Sequence, residues 1–369
     1  MLTRRRLLTT VAATAPATLF LPGLAWAGDP DLTTEEGWLA RLAAHREDVS
    51  AVVDDGAGHR FGHRAATPRP LASTVKVVHL LAYTTAVVSG RLDPDEQVRV
   101  GDWDARHPFL GDGPLGAGAH HTALTRLGIP CDEYGVAKDA GQRVPLAKIP
   151  EFMIQLSDNS AADYLRARLG DGALRAAAAR GGWFAPDVRM FSGETLLLFF
   201  PEYGPPPGSP PALRRVAGDA LSERFARDLL FRAEVLARIL ADPPTAEETR
   251  DWATRGGSGT ATQLAGLHHE IATATDPAAA LARGFLGAQF AGDRPPGTDA
   301  MLYKGGSLPG NLELGVDLVW PHRRPGTAVL QLVGSTPEDL QRADVLLRLC
   351  SDALAVPATL AKLEHALGH

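Results

Sequence analysis

The sequence predicts an α+β, two-domain fold: an antiparallel sheet flanked by helices, joined to a mainly helical domain. Two observations carry this. Strand-like runs occur near the two ends of the chain, as two hairpins. Between them, most patterned segments show the helical spacing of apolar residues.

Residues 34–45 read as a helix, with Thr34 as its cap and Trp38, Leu39 and Leu42 on one face. Residues 48–54 and 60–63 read as strands around the turn Asp55-Gly56-Ala57-Gly58. Residues 73–88 are apolar on most sides, which marks a buried central helix closed by Gly90. The segment 102–134, rich in Gly, His and Asp, is expected to be irregular. Helices are expected at 149–157, 161–169 and 173–180, followed by a Pro-Gly linker at 201–208. Helices return at 217–240 and 261–271. Strands at 312–319 and 327–333 form the second hairpin about a turn at 321–326, and helices at 337–353 and 357–367 follow. A cleft between sheet and helical domain is the natural place for a small ligand.

Arg4, Arg5 and Arg6 precede an apolar stretch and Ala25-Trp26-Ala27, so residues 1–27 read as a twin-arginine-like export signal. Residues 28–369 are then the mature catalytic unit. Within it, 28–72 and 300–369 are expected to form the sheet domain, and 73–299 mainly the helical domain with an insertion near 200–257. Export takes the formal charge from −6 to −9. An acidic chain without a basic run argues against nucleic acid. No later stretch is long and apolar enough for a stable membrane span. An exported, periplasmic or extracellular monomer with a small-molecule substrate is expected. Cys131 and Cys350 could pair in an oxidising compartment or remain thiols.

Three short motifs carry chemistry: Ser73-Thr74-Val75-Lys76, Ser157-Asp158-Asn159 and Lys304-Gly305-Gly306. A serine and a lysine three residues apart at a helix start lie on one face, so an amine stands beside a hydroxyl and can activate it without histidine. Only five lysines occur against 32 arginines, and two of the five sit in these motifs. Lysine can lose its proton when buried; arginine does not. A helix cap would account for Ser73 or for Ser157-Asp158-Asn159 taken singly. The paired histidines His120-His121 and His268-His269 diverge, and His59, His63, His365 and His369 fit solvated positions, so no metal site is expected.

These motifs resemble the signature of class A β-lactamases and penicillin-binding proteins. The resemblance extends through residues 69–77, 89–96, 153–163 and 317–321, with poor agreement from 201 to 257. It implies the β-lactamase/D,D-peptidase fold and an acyl-enzyme formed through Ser73, with no metal or cofactor. Lys76 would take or relay the serine proton, and Ser157 would pass a proton to the leaving group. Asn159, Lys304, Gly306 and Ser307 would bind substrate, with the backbone N–H groups of Ser73 and Ser307 as the oxyanion hole. Glu194, a few residues after Arg189, would activate the hydrolytic water, although an ordinary surface glutamate would also fit. Either Lys76 or the acid could serve as the acylation base.

The chain also departs from that pattern. Leu198 replaces an asparagine, Ser192 replaces a loop arginine, and Gly305 stands where a threonine is usual. No arginine follows between Gly306 and Val319. The resemblance therefore implies hydrolysis of β-lactams or a related cyclic amide. An esterase, a D,D-peptidase-like hydrolase and a non-hydrolytic penicillin- or peptidoglycan-binding protein are the alternatives.

Overall fold

The computed structural model describes residues 30–107, 109, 118–206 and 208–369. The export signal expected at 1–27 lies outside them. The strands are β1 (Val49–Asp54), β2 (Arg60–His63), β3 (Arg69–Pro70), β4 (Gln97–Arg99), β5 (Arg143–Pro145), β6 (Ser258–Gly259), β7 (Ala300–Leu308), β8 (Asn311–Val319) and β9 (Gly326–Val333). Five of them form one antiparallel sheet in the order β2-β1-β9-β8-β7. The two expected hairpins therefore meet across β1 and β9. The edge strand β7, which carries Lys304, was not foreseen as a strand; its Gly305-Gly306 pair weakens the strand signal.

Side-chain alternation divides the sheet into two unlike faces. Leu312, Leu314, Val316 and Leu318 of β8 face outward, onto a core that includes Trp38, Leu349 and Leu363 of the terminal helices. Those helices are Glu35–Ala44, Ala343–Ala355 and Pro357–Ala366. Thr34 caps the first, its side chain accepting from Gly37 N–H. The residues between, Glu313, Gly315 and Asp317, point inward, where Val52, Leu302 and Val329 join the larger core with the helices. The helix Ala261–Thr273 crosses this inner face closely. A Cβ on Gly315 would stand 2.2 Å from His268 Nε2.

Several boundaries differ from the sequence reading. The region 102–134 includes the helix Ala119–Arg126, and Val100–Asp104 reaches into its start. The helix Asn159–Arg180 breaks at Gly170, whose φ of 79° separates the two expected helices. The helix expected at 217–240 is two, Pro211–Arg227 and Leu229–Ala241. Asp228 stops the first and caps the second through Leu230 and Phe231 N–H. Phe191–Phe199 is also helical, because the Asp163 carboxylate accepts its first free N–H groups, those of Phe191 and Ser192, at 2.7 Å each. Helices Ala246–Thr254 and Pro277–Gly287 were not anticipated at all.

A third apolar cluster packs Leu196, Phe199 and Phe200 against Phe225, Phe231 and Val235. Each fully buried phenylalanine contributes roughly 1.5–3 kcal/mol. Exposed ion pairs such as Arg238–Glu202 contribute about 0–1 kcal/mol. Apolar packing therefore docks the 200–257 segment onto the Phe191–Phe199 helix.

The cysteines are both free, Cys131 half-buried and Cys350 buried in the helix Ala343–Ala355 behind the sheet. His63 departs from its expected solvated position: it is buried, and its Nε2 meets Arg46 O at 2.7 Å. Among the described residues, no helix is long and apolar enough to cross a membrane.

Candidate active site

Ser73 opens a single turn of 3-10 helix, Ser73–Val75, that runs into the buried helix Lys76–Val88. This places Lys76 Nζ 2.8 Å from Ser73 Oγ, as the three-residue spacing anticipates. The same Nζ lies 2.6 Å from Ser157 O, 3.2 Å from Ser157 Oγ and 2.6 Å from Asn159 Oδ1. From β7, Lys304 Nζ reaches Ser157 Oγ at 2.9 Å and Gly305 O at 2.8 Å. Burial first, and the Lys76 charge second, push the Lys304 amine well below the usual lysine value, against the pull of Glu313.

Ser157 sits in the left-handed region, with φ of 62°. A serine there is strained by of order 1 kcal/mol or more, so its surroundings must hold it. Asp158 does part of this. Its Oδ1 caps the next helix by accepting Ala161 N–H at 3.1 Å, and its Oδ2 meets His120 Nδ1 at 3.0 Å. His120 Nε2 lies 2.7 Å from Asp104 Oδ1. Burial alone would push the His120 imidazolium down, but Asp158 and Asp104 outweigh it and raise the pKa to about 10. A fully buried histidine bridging Asp158 and Asp104 thus anchors the Ser157 turn from behind. His121, its neighbour, is half-buried.

Gly306 is where β7 touches the nucleophile. A Cβ there would lie 2.3 Å from Ser73 N and 3.0 Å from Ala72 Cβ, so only glycine allows this approach. Opposite Gly306 on β8 stands Glu313, buried beneath the same turn. Its Oε1 accepts Ala72 N–H at 2.7 Å, and its Oε2 accepts the Thr74 hydroxyl. The sequence reading missed Glu313, although an acidic residue inside an apolar strand was a signal.

Ser73, Lys76, Ser157, Asn159, Glu194 and Ser307 line one cleft, with Lys304 and Gly306 behind its wall. All eight sequence-selected residues therefore converge. Glu194 is buried, on a helix rather than the expected loop. Arg189 Nη1 donates to its Oε1 at 2.9 Å and Arg214 Nε to its Oε2 at 2.8 Å. Where a loop arginine was missing, Ser192 Oγ donates to Asp163 Oδ2 at 2.6 Å. Burial raises the Asp163 carboxyl, against the lowering donors of Ser192 and Phe191. Leu198 lies one helical turn beyond Glu194 and does not line the cleft. His79, also missed, does line it; burial and then the Arg166 charge push its imidazole down to about 3, so it is neutral.

The Gly305 departure has a structural partner. A Cβ on Gly305 would stand 2.0 Å from the Tyr303 hydroxyl, so the tyrosine two residues earlier occupies the space of the expected threonine.

Residues 38–195 match the model of the Beta-lactamase enzyme family. That match contains the first two motifs and Glu194, and ends before the 200–257 segment. The structure is similar to a class A β-lactamase of the last common ancestor of Gram-negative bacteria (19% identity, TM-score 0.51, covering 87% of this chain and 98% of that one). It is similar to a β-lactamase from Xanthomonas campestris (17%, TM-score 0.52, 89% and 99%). It is also similar to the chromosome-encoded β-lactamase of Vibrio parahaemolyticus (12%, TM-score 0.52, 87% and 96%). At these identities the likeness concerns the fold. No curated protein sequence matches the chain.

Proposed function

We propose, from the premise that this chain has the β-lactamase-like serine hydrolase fold, that it is an exported serine hydrolase acting through a Ser73 acyl-enzyme. The observation that carries this reading is the Lys76 amine, 2.8 Å from Ser73 Oγ and shared with Ser157 and Asn159. Ser73 Oγ attacks the carbonyl carbon of a β-lactam or related cyclic amide while its proton passes to Lys76. Ser157, between Lys76 and Lys304, hands a proton to the leaving nitrogen. The Ser73 and Ser307 N–H groups stabilise the oxyanion, each worth about 3–4 kcal/mol in comparable sites. Asn159 and Lys304 orient the substrate, Gly306 keeps the strand close to Ser73, and Glu194 activates the water that releases the acyl group.

One observation favours a second reading, an esterase or D,D-peptidase-like hydrolase. Gly305 carries no hydroxyl, and no arginine follows on β8, so two anchors for a substrate carboxylate are absent. The test is parallel turnover of a chromogenic cephalosporin and a neutral p-nitrophenyl ester by the wild type and Ser73→Ala. Ser73→Ala should lose all turnover of whichever substrate is used. Unchanged turnover in that variant would remove the reading, and the substrate ratio decides between lactam and ester.

A further inference from the structure

Glu194 is held by three donors, and two of them belong to the 200–257 segment, beyond the end of the family match at residue 195. From the helix Pro211–Arg227, Arg214 Nε donates to Oε2 of the carboxylate at 2.8 Å. From the helix Ala246–Thr254, Trp252 Nε1 donates to the Glu194 backbone carbonyl at 2.7 Å. The third donor, Arg189, takes Oε1 at 2.9 Å and is itself fixed by Asp187. Beneath these contacts the two backbones touch. A Cβ on Gly193 would lie 2.4 Å from Gly218 O, and Ser192 Oγ meets Ser222 Oγ at 2.7 Å.

We propose that the 200–257 segment is a brace for the turnover step, with Arg214 as the positioning residue that fixes the Glu194 carboxylate for hydrolysis of the acyl-enzyme. The proposal rests on the acyl-enzyme reading above. In the hydrolytic step, water oxygen bonds to the acyl carbon and the water proton passes to Glu194. The bond from that carbon to Ser73 Oγ then breaks, and the proton returns to Oγ. Each carboxylate oxygen has two lone pairs, so one arginine N–H on each still leaves an acceptor for water. Two guanidinium groups on opposite oxygens stop the carboxylate turning about its terminal torsion. With Arg189 alone it is free to turn, and misplacement by about 1 Å costs up to roughly 10²-fold in rate. Acylation, which runs through Ser73, Lys76 and Ser157, does not use this contact.

The test separates the two steps by rapid mixing and intact mass, using the chromogenic cephalosporin or, failing acylation by it, the p-nitrophenyl ester. Arg214→Met is expected to leave acylation within about twofold and to slow deacylation about tenfold or more, so that acyl-enzyme accumulates. Arg214→Lys should recover part of the rate. Arg215→Met, on the same helix as Arg214, breaks an ion pair with Asp171 of the helix Asn159–Arg180 and should leave both steps at the wild-type rate. If Arg214→Met fails to fold, Trp252→Phe removes one donor with little change of shape and should also slow deacylation selectively. Unchanged or faster deacylation, or equal losses in both steps, would overturn the brace while leaving the acyl-enzyme reading intact. If the wild type forms no Ser73-linked adduct with either probe, both fall together.

Discussion

Lys304 Nζ lies 2.9 Å from Ser157 Oγ, the hydroxyl on which Lys76 also converges at 3.2 Å. One buried hydroxyl between two amines is the shortest route for a proton from Ser73 to a leaving group. Ser157→Ala should therefore lower acylation by about 10²–10⁴-fold with little effect on release of a preformed adduct. Lys76→Arg should not substitute for lysine, since arginine holds its proton. Pre-steady-state burst rates measure both, and a Ser157→Ala burst at the wild-type rate would remove the relay.

Tyr303 and Gly305 form a pair that substitution can test. Gly305→Thr alone should fail, because its Cβ would collide with the Tyr303 hydroxyl. Tyr303→Ala combined with Gly305→Thr reopens the space and adds a hydroxyl. A hydrogen bond to a charged group contributes about 1.5–3 kcal/mol, so KM for a carboxylate-bearing lactam should fall by about tenfold or more. KM for a neutral ester should stay the same. Equal changes in both would show that the pair does not govern carboxylate recognition.

Glu313 gives a pH signature. Burial pushes its carboxyl up to about 7 from 4.5, against the Thr74 hydroxyl, the Ala72 amide and the Lys304 charge. Between those values the folded chain binds more protons than the unfolded one, so stability from this group is complete below pH 4.5 and falls as pH rises towards 7. The effect is at most about 3 kcal/mol. Urea unfolding of the wild type and Glu313→Gln across this window should show the wild type losing stability relative to the variant as pH rises. Parallel curves would contradict the shift.

Much of this was legible in the sequence because motifs and hairpins are local patterns. The Ser73–Lys76 spacing maps directly onto one helical turn, and the four hairpin strands appear within a residue or so of their expected bounds. What failed was the surroundings of Glu194. Phe191–Phe199 is buried along most of its length, so it shows no apolar stripe to mark it as a helix, and Gly193 weakens the signal further. Thr245 and Glu248 form a capping box that announces Ala246–Thr254, a signal available but unused. Arg214 and Trp252 had no signal, since their partner lies 20 and 58 residues away and only packing joins them.

The most direct measurement is a time course of intact mass for the protein mixed with a penicillin, alongside Ser73→Ala. The account predicts a mass gain equal to the penicillin, absent in Ser73→Ala, that decays as hydrolysed product accumulates. A gain that persists in Ser73→Ala, or product formed at the same rate by that variant, would contradict it.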